Sequence, residues 1–190
     1  MPNSDKMKDK CVIRDDGINI YITLINVSRL IAKIGLIMMC IFLSLPFFII
    51  IIYGGSDTPG GAAFGLIIFL ILYIVLPLRL TIWNLFGKEH LIINTKTFSY
   101  QHDYGIILTN LKTQKIDLIG LGLNVIGQIN DEDYGKLDIS NFDKETDIPQ
   151  LIYESSIYLT KSNFDTIIDN IKKIYENVEV EDFGFTFSNN

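Results

Sequence analysis

The chain has 190 residues, 48% of them hydrophobic and 20% charged, with a formal net charge of −6 and a mean hydropathy of +0.30. That length suits one ordinary domain, but a positive mean hydropathy beside so many charges points to two separate solvent environments. The acidic balance excludes a general nucleic-acid binder, whose affinity comes from cations set against phosphates.

Residues 1–9, "MPNSDKMKD", are polar and open a lead-in expected over 1–29. Within it "CVIRDDGINIYI" has two β-prone runs around Asp15-Asp16-Gly17, a hairpin signal. Two readings stay open: a strand pair that completes a later domain, or an irregular approach to the first helix.

The next segment changes solvent. Residues 34–56 and 58–78 contain no charge, and each run is close to the ~20 residues a helix needs to cross a bilayer. A transmembrane helical hairpin is expected over 30–84, with spans near 34–56 and 59–80. The first span is too long for a signal-peptide core and has no small-x-small cleavage site after it, so it is expected to be retained as an anchor. Pro46 predicts a kink, and Gly61-x-x-x-Gly65 fits a close helix contact within the hairpin. Gly54, Gly55, Pro59, Gly60 and Gly61 are expected to supply the turn. Lys6, Lys8, Lys10, Arg14, Arg29 and Lys33 precede the first span, Arg79 and Lys88 follow the second, and the connection has no Lys or Arg. Both termini are therefore expected on the cytoplasmic side. Cys11 would then lie in the cytosol and Cys40 in the bilayer, with no disulfide between them. Pro77 and Arg79 are expected to end the second span, with Trp83 at the interface where amphipathic aromatics collect.

Beyond Trp83 the period changes to two. "TFSYQHDY" puts Phe98, Tyr100, His102 and Tyr104 on one side and Ser99, Gln101 and Asp103 on the other, as a half-buried strand requires. Further short runs at "HLIIN", "GIILTN", "QKIDLIGLGLNVI", "KLDISNF" and "LIYESSIYL" predict an antiparallel sheet. Phe164, Ile167, Ile168, Ile171 and Ile174 form one apolar stripe at steps of three and four, which predicts a closing helix. Ser162 followed by Asp165 suggests its N-terminal cap. The expected class is α+β, with a cytosolic domain over 85–180 and a tail over 181–190, in which Phe183, Phe185 and Phe187 alternate.

The membrane hairpin, then "WNLFGKEHLIINTKTFSYQHDYG", several strands and the terminal "SNFDTIIDNIKKIY" resemble a group of bacterial two-pass membrane proteins of unassigned function. Those proteins carry a small cytosolic domain similar to bacterial pleckstrin-homology-like domains. The most specific shared stretch is Leu85-Phe86-Gly87-Lys88-Glu89, at the start of the first strand of that domain. The resemblance implies a partly closed barrel with a helix at one end and a place in the bacterial inner membrane. It transfers no catalytic residue.

Pleckstrin-homology domains often hold phosphoinositides with a basic cluster, whereas beyond Leu78 this chain has 10 Lys and Arg against 17 Asp and Glu. A charge near −7 argues against phosphoinositides and nucleic acid alike. The acidic run "NDEDYGKLDISNFDKETD" invites a calcium reading. With Gly135 at the centre, however, the ligand places fall on Asn130, Glu132, Tyr134 and Asn141, which is not the EF-hand pattern. A solvated hairpin turn followed by an acidic loop accounts for it better. His90 and His102 have no metal-ligand spacing, and no phosphate loop or nucleophile elbow is present, so no cofactor, metal or catalytic residue is expected. Neither span has an ionisable group to carry ions. Lys88 and Glu89, with Arg79 and Trp83, are expected to position the domain against lipid head groups.

The resulting expectation is a non-enzymatic, membrane-anchored binding or scaffolding module that takes a protein partner or forms a homo-oligomer. The alternatives are a membrane immunity factor that neutralises a basic toxin, and a small enzyme, for which Glu89, His102 and several carboxylates would have to converge in one cleft.

Overall fold

The computed structural model describes residues 11–28, 30–53, 60–142 and 148–176. The protein divides into two compact units, Met1–Asn26 with Gly87–Asn190, and Val27–Phe86. The class is α+β with antiparallel sheets and a C-terminal helix. Of the residues expected to supply the turn, Gly54, Gly55 and Pro59 lie outside the described residues, as does the tail expected over 181–190, whereas Gly60 and Gly61 open a helix instead.

The Val27–Phe86 unit is helical. Helix α1 (Leu30–Tyr53) runs through Pro46. Helix α2 (Gly60–Tyr73) passes into a π-helical turn (Ile74–Leu78) and on into helix α3 (Arg79–Phe86). Pro77 does not end the second helix. Proline lacks an N–H and crowds the turn before it, and the widened π turn absorbs that defect without breaking the run. The helix therefore reaches Phe86 instead of stopping near 80. The helices pack antiparallel: Lys33 Nζ reaches the Leu85 carbonyl at 3.5 Å, while Tyr73 Oη donates to the Cys40 carbonyl at 3.1 Å. Cys40 Sγ lies 3.0 Å from Thr81 Oγ1, and that hydroxyl donates to the Pro77 carbonyl at 2.8 Å. The close contact expected at Gly65 is not seen, since a Cβ built there meets nothing within 4 Å. Further along the helix, Cys40 meets Tyr73 and Thr81 across the pair. Among the described residues one helix, Gly65–Phe86, is long and apolar enough to cross a membrane, with a mean hydropathy of 2.4 over its most apolar stretch, 6% of which is buried.

The other unit has eight strands among its described residues. Strands β1 (Cys11–Asp15), β2 (Ile20–Ile25), β3 (Lys88–Ile93), β4 (Thr97–Asp103) and β5 (Lys112–Lys115) form a five-stranded meander. The segment before the helices is thus a strand pair, and it joins the main sheet because β2 pairs with β3 from Ile20↔Ile93 to Ile25↔Lys88. Asp16 makes the β1–β2 turn by accepting the N–H groups of Ile18 and Asn19 at 3.0 and 2.6 Å, beside Gly17 at φ +84°. Strands β6 (Leu118–Ile129), β7 (Glu132–Phe142) and β8 (Pro149–Thr160) form the second sheet. The run "QKIDLIGLGLNVI" is therefore two strands, broken at Ile116 and Asp117 where the chain crosses between sheets. "GIILTN" is a tight turn with one bridge, Asp103 to Leu108.

The acidic stretch begins with a two-residue hairpin turn in which Asn130 and Asp131 have φ of 53° and 63°. A type I′ turn needs that sign at both central positions, and Asn and Asp tolerate it. Gly135 serves packing in place of calcium. Val125 pairs with Gly135 and Gly127 with Tyr134, which leaves Ile126 as a bulge, and a Cβ on Gly135 would collide with the Asn124 carbonyl.

Inward residues of both sheets make the core: Ile20, Ile22, Leu24, Leu91, Ile93 and Phe98 from one, Ile119, Leu137, Ile139 and Leu159 from the other. Helix α4 (Lys161–Glu176) buries Phe164, Ile167, Ile168, Ile171 and Ile174 against strands of both sheets. Its cap is Thr160, whose Oγ1 accepts the Asn163 N–H at 3.4 Å, and not Ser162. The helix starts two residues earlier than expected, so the Ser162 N–H lies within the first turn and is satisfied by Glu132 at 2.9 Å. Tyr175 Oη donates to the Asn94 carbonyl at 3.4 Å, which places the helix C-terminus at the β3–β4 turn.

Gly135→Ala is expected to lower the unfolding free energy by about 1–3 kcal/mol, because backbone must move to make room. Gly122→Ala meets only Asp138 Cβ at 3.7 Å and should be neutral or stabilising by up to ~1 kcal/mol. Denaturant titrations followed by near-ultraviolet circular dichroism separate the two.

Candidate functional site

Strand β3 alternates, so Glu89, Leu91 and Ile93 share the inward face while Lys88, His90 and Ile92 face out. Glu89 thus points into the core and is 0% exposed. Its Oε2 accepts the Tyr153 hydroxyl of β8 at 2.6 Å, and its Oε1 accepts the Ser156 N–H at 2.9 Å. His102 stands directly opposite on β4, with Nε2 at 3.7 Å from Oε1. Tyr100 packs on Tyr153 with ring centroids 4.9 Å apart and meets His102 edge-on. Burial disfavours charge and pushes the Glu89 carboxyl up, even though the Tyr153 and Ser156 hydrogen bonds and His102 pull the other way. Burial also pushes the Tyr153 phenol up, and the neighbouring carboxylate adds to that, so Tyr153 remains a donor. Chemically this group can hold a proton on Glu89, with His102 close enough to act on its charge. Among the described residues no three His, Cys, Asp or Glu cluster to hold a metal ion.

The outer face of the same sheet forms an open concavity of about 920 Å³ lined by Val12, Arg14, Tyr21, Thr23, His90, Ile92, Gln101 and Asp103, among others. Register puts Thr23, His90 and Gln101 in one cross-strand row and Arg14, Tyr21 and Ile92 in the next. Thr23 Oγ1 lies 3.1 Å from His90 Nδ1, and the other ring nitrogen is 3.6 Å from Asp103. At one end Tyr21 Oη donates to Asp16 at 3.1 Å, and the backbone N–H groups of Asn19 and Ile18 hold the Asp16 carboxylate down to about 2. The surface combines Arg14 with three acids, Asp15, Asp16 and Asp103, and with half-buried apolar side chains. Strand β1 borders it and, among the described residues, pairs on one side, with β2.

Of the residues expected at a lipid interface, Arg79 is exposed, Trp83 and Lys88 are half-buried, and Glu89 is inside the domain. Glu89 thus has no place at a head-group surface. Its neighbour Lys88 shows why: adjacent strand residues face opposite ways, and Glu89 shares its face with Leu91 and Ile93, a signal present in "KEHLII" itself. The alternation of β4 does place His102 inward, on the side where Glu89 waits. Tyr153 and Ser156 come from β8, so their part in the cluster has no local sequence signal. Both cysteines are free, and burial pushes the Cys11 thiol up to about 11. On the outer face of the second sheet, burial and the nearby Glu154 push Asp138 up, and its Oδ1 is buried without a hydrogen-bond partner.

The native state holds a proton on Glu89 more tightly than the unfolded chain does, so this residue's contribution falls as pH rises. The loss begins in the ordinary carboxylate range and is complete above the raised value. Glu89→Gln keeps the shape and is expected to flatten this pH slope in urea midpoints measured from about pH 4 to pH 8. Glu89→Ala leaves the Tyr153 and Ser156 donors buried without an acceptor and should cost about 1–3 kcal/mol throughout that range.

Compared with protein-family models, with curated proteins and with solved structures, the chain matches none.

Proposed function

We propose that this protein is a two-pass inner-membrane protein of bacterial type, with both termini in the cytoplasm and a pleckstrin-homology-like domain that binds a protein ligand. The observation that carries this reading is the apolar helix Gly65–Phe86, 22 residues long and 6% buried over its most apolar stretch, joined through Gly87 alone to the first residue of β3. A helix of that length spans ~30 Å of hydrocarbon. A soluble core would bury such a helix. The described side chains of α1 contribute a shorter apolar stretch, Leu30–Pro46, and its antiparallel packing supports the first pass. Two sheets closed by a C-terminal helix fit the barrel that the resemblance implies.

The outer face of the five-stranded sheet is the binding surface. Its mixture of Arg14, acids and apolar side chains suits a peptide segment beside β1, which has no second strand neighbour among the described residues, and Arg14 is the one Lys or Arg in its described lining. The buried Glu89–His102–Tyr153 group serves the stability of the domain. Asp103, the acid next to His102 in the chain, lies on the outward face beside His90.

Reporter fusions test the topology. A reporter that works only in the cytoplasm is expected to be active after Asn190, and a periplasmic one to be active within residues 54–59; a periplasmic C-terminus overturns the reading. For the surface, a photo-crosslinking residue at Thr23 should give a discrete adduct in cells while one at Tyr158, on the second sheet, does not.

A further inference from the structure

Strands β2, β3 and β4 end together on one side of their sheet, in the row Ile25↔Lys88↔Asp103. Both chain connections to the helical segment leave from that row, and Asn26 N–H donates to the Gly87 carbonyl at 2.9 Å. The β4–β5 turn starts at the same row. It is built firmly: Gly105, at φ +82°, donates its N–H to Asp103 Oδ1 at 2.6 Å, Tyr104 N–H donates to the Ile107 carbonyl, and Thr109 exchanges two hydrogen bonds with the His102 backbone. What it displays is apolar. Ile106, Ile107, Leu108 and Leu111 are 74, 67, 59 and 49% exposed, and residues 104–111 include no charge in a domain of net charge near −7.

We infer that this turn is an interfacial wedge: Ile106, Ile107 and Leu108 seat the cytosolic domain on the lipid surface, as a second contact besides the helices. The inference rests on the membrane reading above. A lipid surface is the occupant because the base of the turn is one strand away from Lys88, and a single glycine separates Lys88 from the end of the apolar helix at Phe86. Neighbouring strands lie ~4.8 Å apart, so the turn starts where the chain leaves the hydrocarbon. A tip without charge also avoids the repulsion that the rest of the acidic domain meets at an anionic leaflet. Apolar side chains held out by a hydrogen-bonded turn lose little further conformational freedom when they enter the interface.

The test uses the full chain with Cys11→Ser and Cys40→Ser, carrying Ile107→Cys labelled with an environment-sensitive fluorophore, in vesicles of phosphatidylethanolamine and phosphatidylglycerol. Ile106→Cys is a second probe of the turn, Ile71→Cys a probe of the helix, and Leu151→Cys, exposed on β8, a control. Insertion to ~5–10 Å predicts a blue shift at Ile107 and stronger quenching by a spin label near the head of the acyl chain than by one near its end. Ile71 should be quenched more by the deep label, and Leu151 by neither. Quenching at Ile71 without quenching at Ile107 or Ile106 overturns the wedge and leaves the anchor standing. Loss of quenching at Ile71 as well overturns both. Equal quenching at Leu151 also overturns the wedge, because contact is then not confined to the turn.

Discussion

The structure depends on the pairing of β2 with β3, two neighbouring strands separated in the chain by the whole helical segment. Six residue pairs, Ile20↔Ile93 to Ile25↔Lys88, hold them in register. A long closed loop costs folding entropy that grows slowly with length, so an insertion of this size is tolerable once its ends are fastened. Because β2 and β3 are antiparallel neighbours, the insertion must begin and end at one place. Two helices that leave and return there are antiparallel, as the contacts of Lys33 with Leu85 and of Tyr73 with Cys40 require. The register also sets faces. Leu24, Glu89 and His102 fall in one inward row, Thr23, His90 and Gln101 in one outward row, so a single pairing decides both the buried cluster and the exposed surface.

A carboxyl group inside an apolar core is a cost unless it is satisfied. Here Tyr153 and Ser156 of β8 supply two donors to Glu89 of β3, so the cluster ties the second sheet to the first at the point where it is buried. A hydrophobic residue would fill the same space without demanding partners, which makes Glu89 a device for specifying how the two sheets meet. His102, at 3.7 Å, then tunes its charge state. Phe98 and Tyr100 pack on the ring of Tyr153, which hydrogen-bonds to Glu89.

Charge and hydropathy divide the work of the proposed module. The helices carry exposed apolar side chains such as Ile31, Phe42 and Leu76, while the β unit is acidic in balance and its β4–β5 turn is uncharged. In the proposed arrangement an acidic body is repelled by an anionic leaflet, and the apolar contacts of its β4–β5 turn would set its orientation there. Under that reading the outer sheet face, with His90 between Thr23 and Asp103, remains available to a ligand in solution.

Amino-acid order alone determined what depends on neighbours a few positions away. The uncharged runs marked the helices, alternation in "TFSYQHDY" assigned the faces of β4, and steps of three and four in Phe164, Ile167, Ile168, Ile171 and Ile174 marked the buried stripe of α4. The turn at Asn130 and Asp131 was also legible, because few residues accept a positive φ. Local pattern misled where a run was apolar for another reason: "GIILTN" reads as a strand but lacks a partner over most of its length, and Pro77 reads as a stop that a π turn bypasses. Tertiary structure decided the rest. Whether Cys11–Ile25 pairs with β3, which strand supplies donors to Glu89, and why position 135 must be glycine all depend on residues distant in the chain, whose meeting is set by sheet register and packing and not by any local preference.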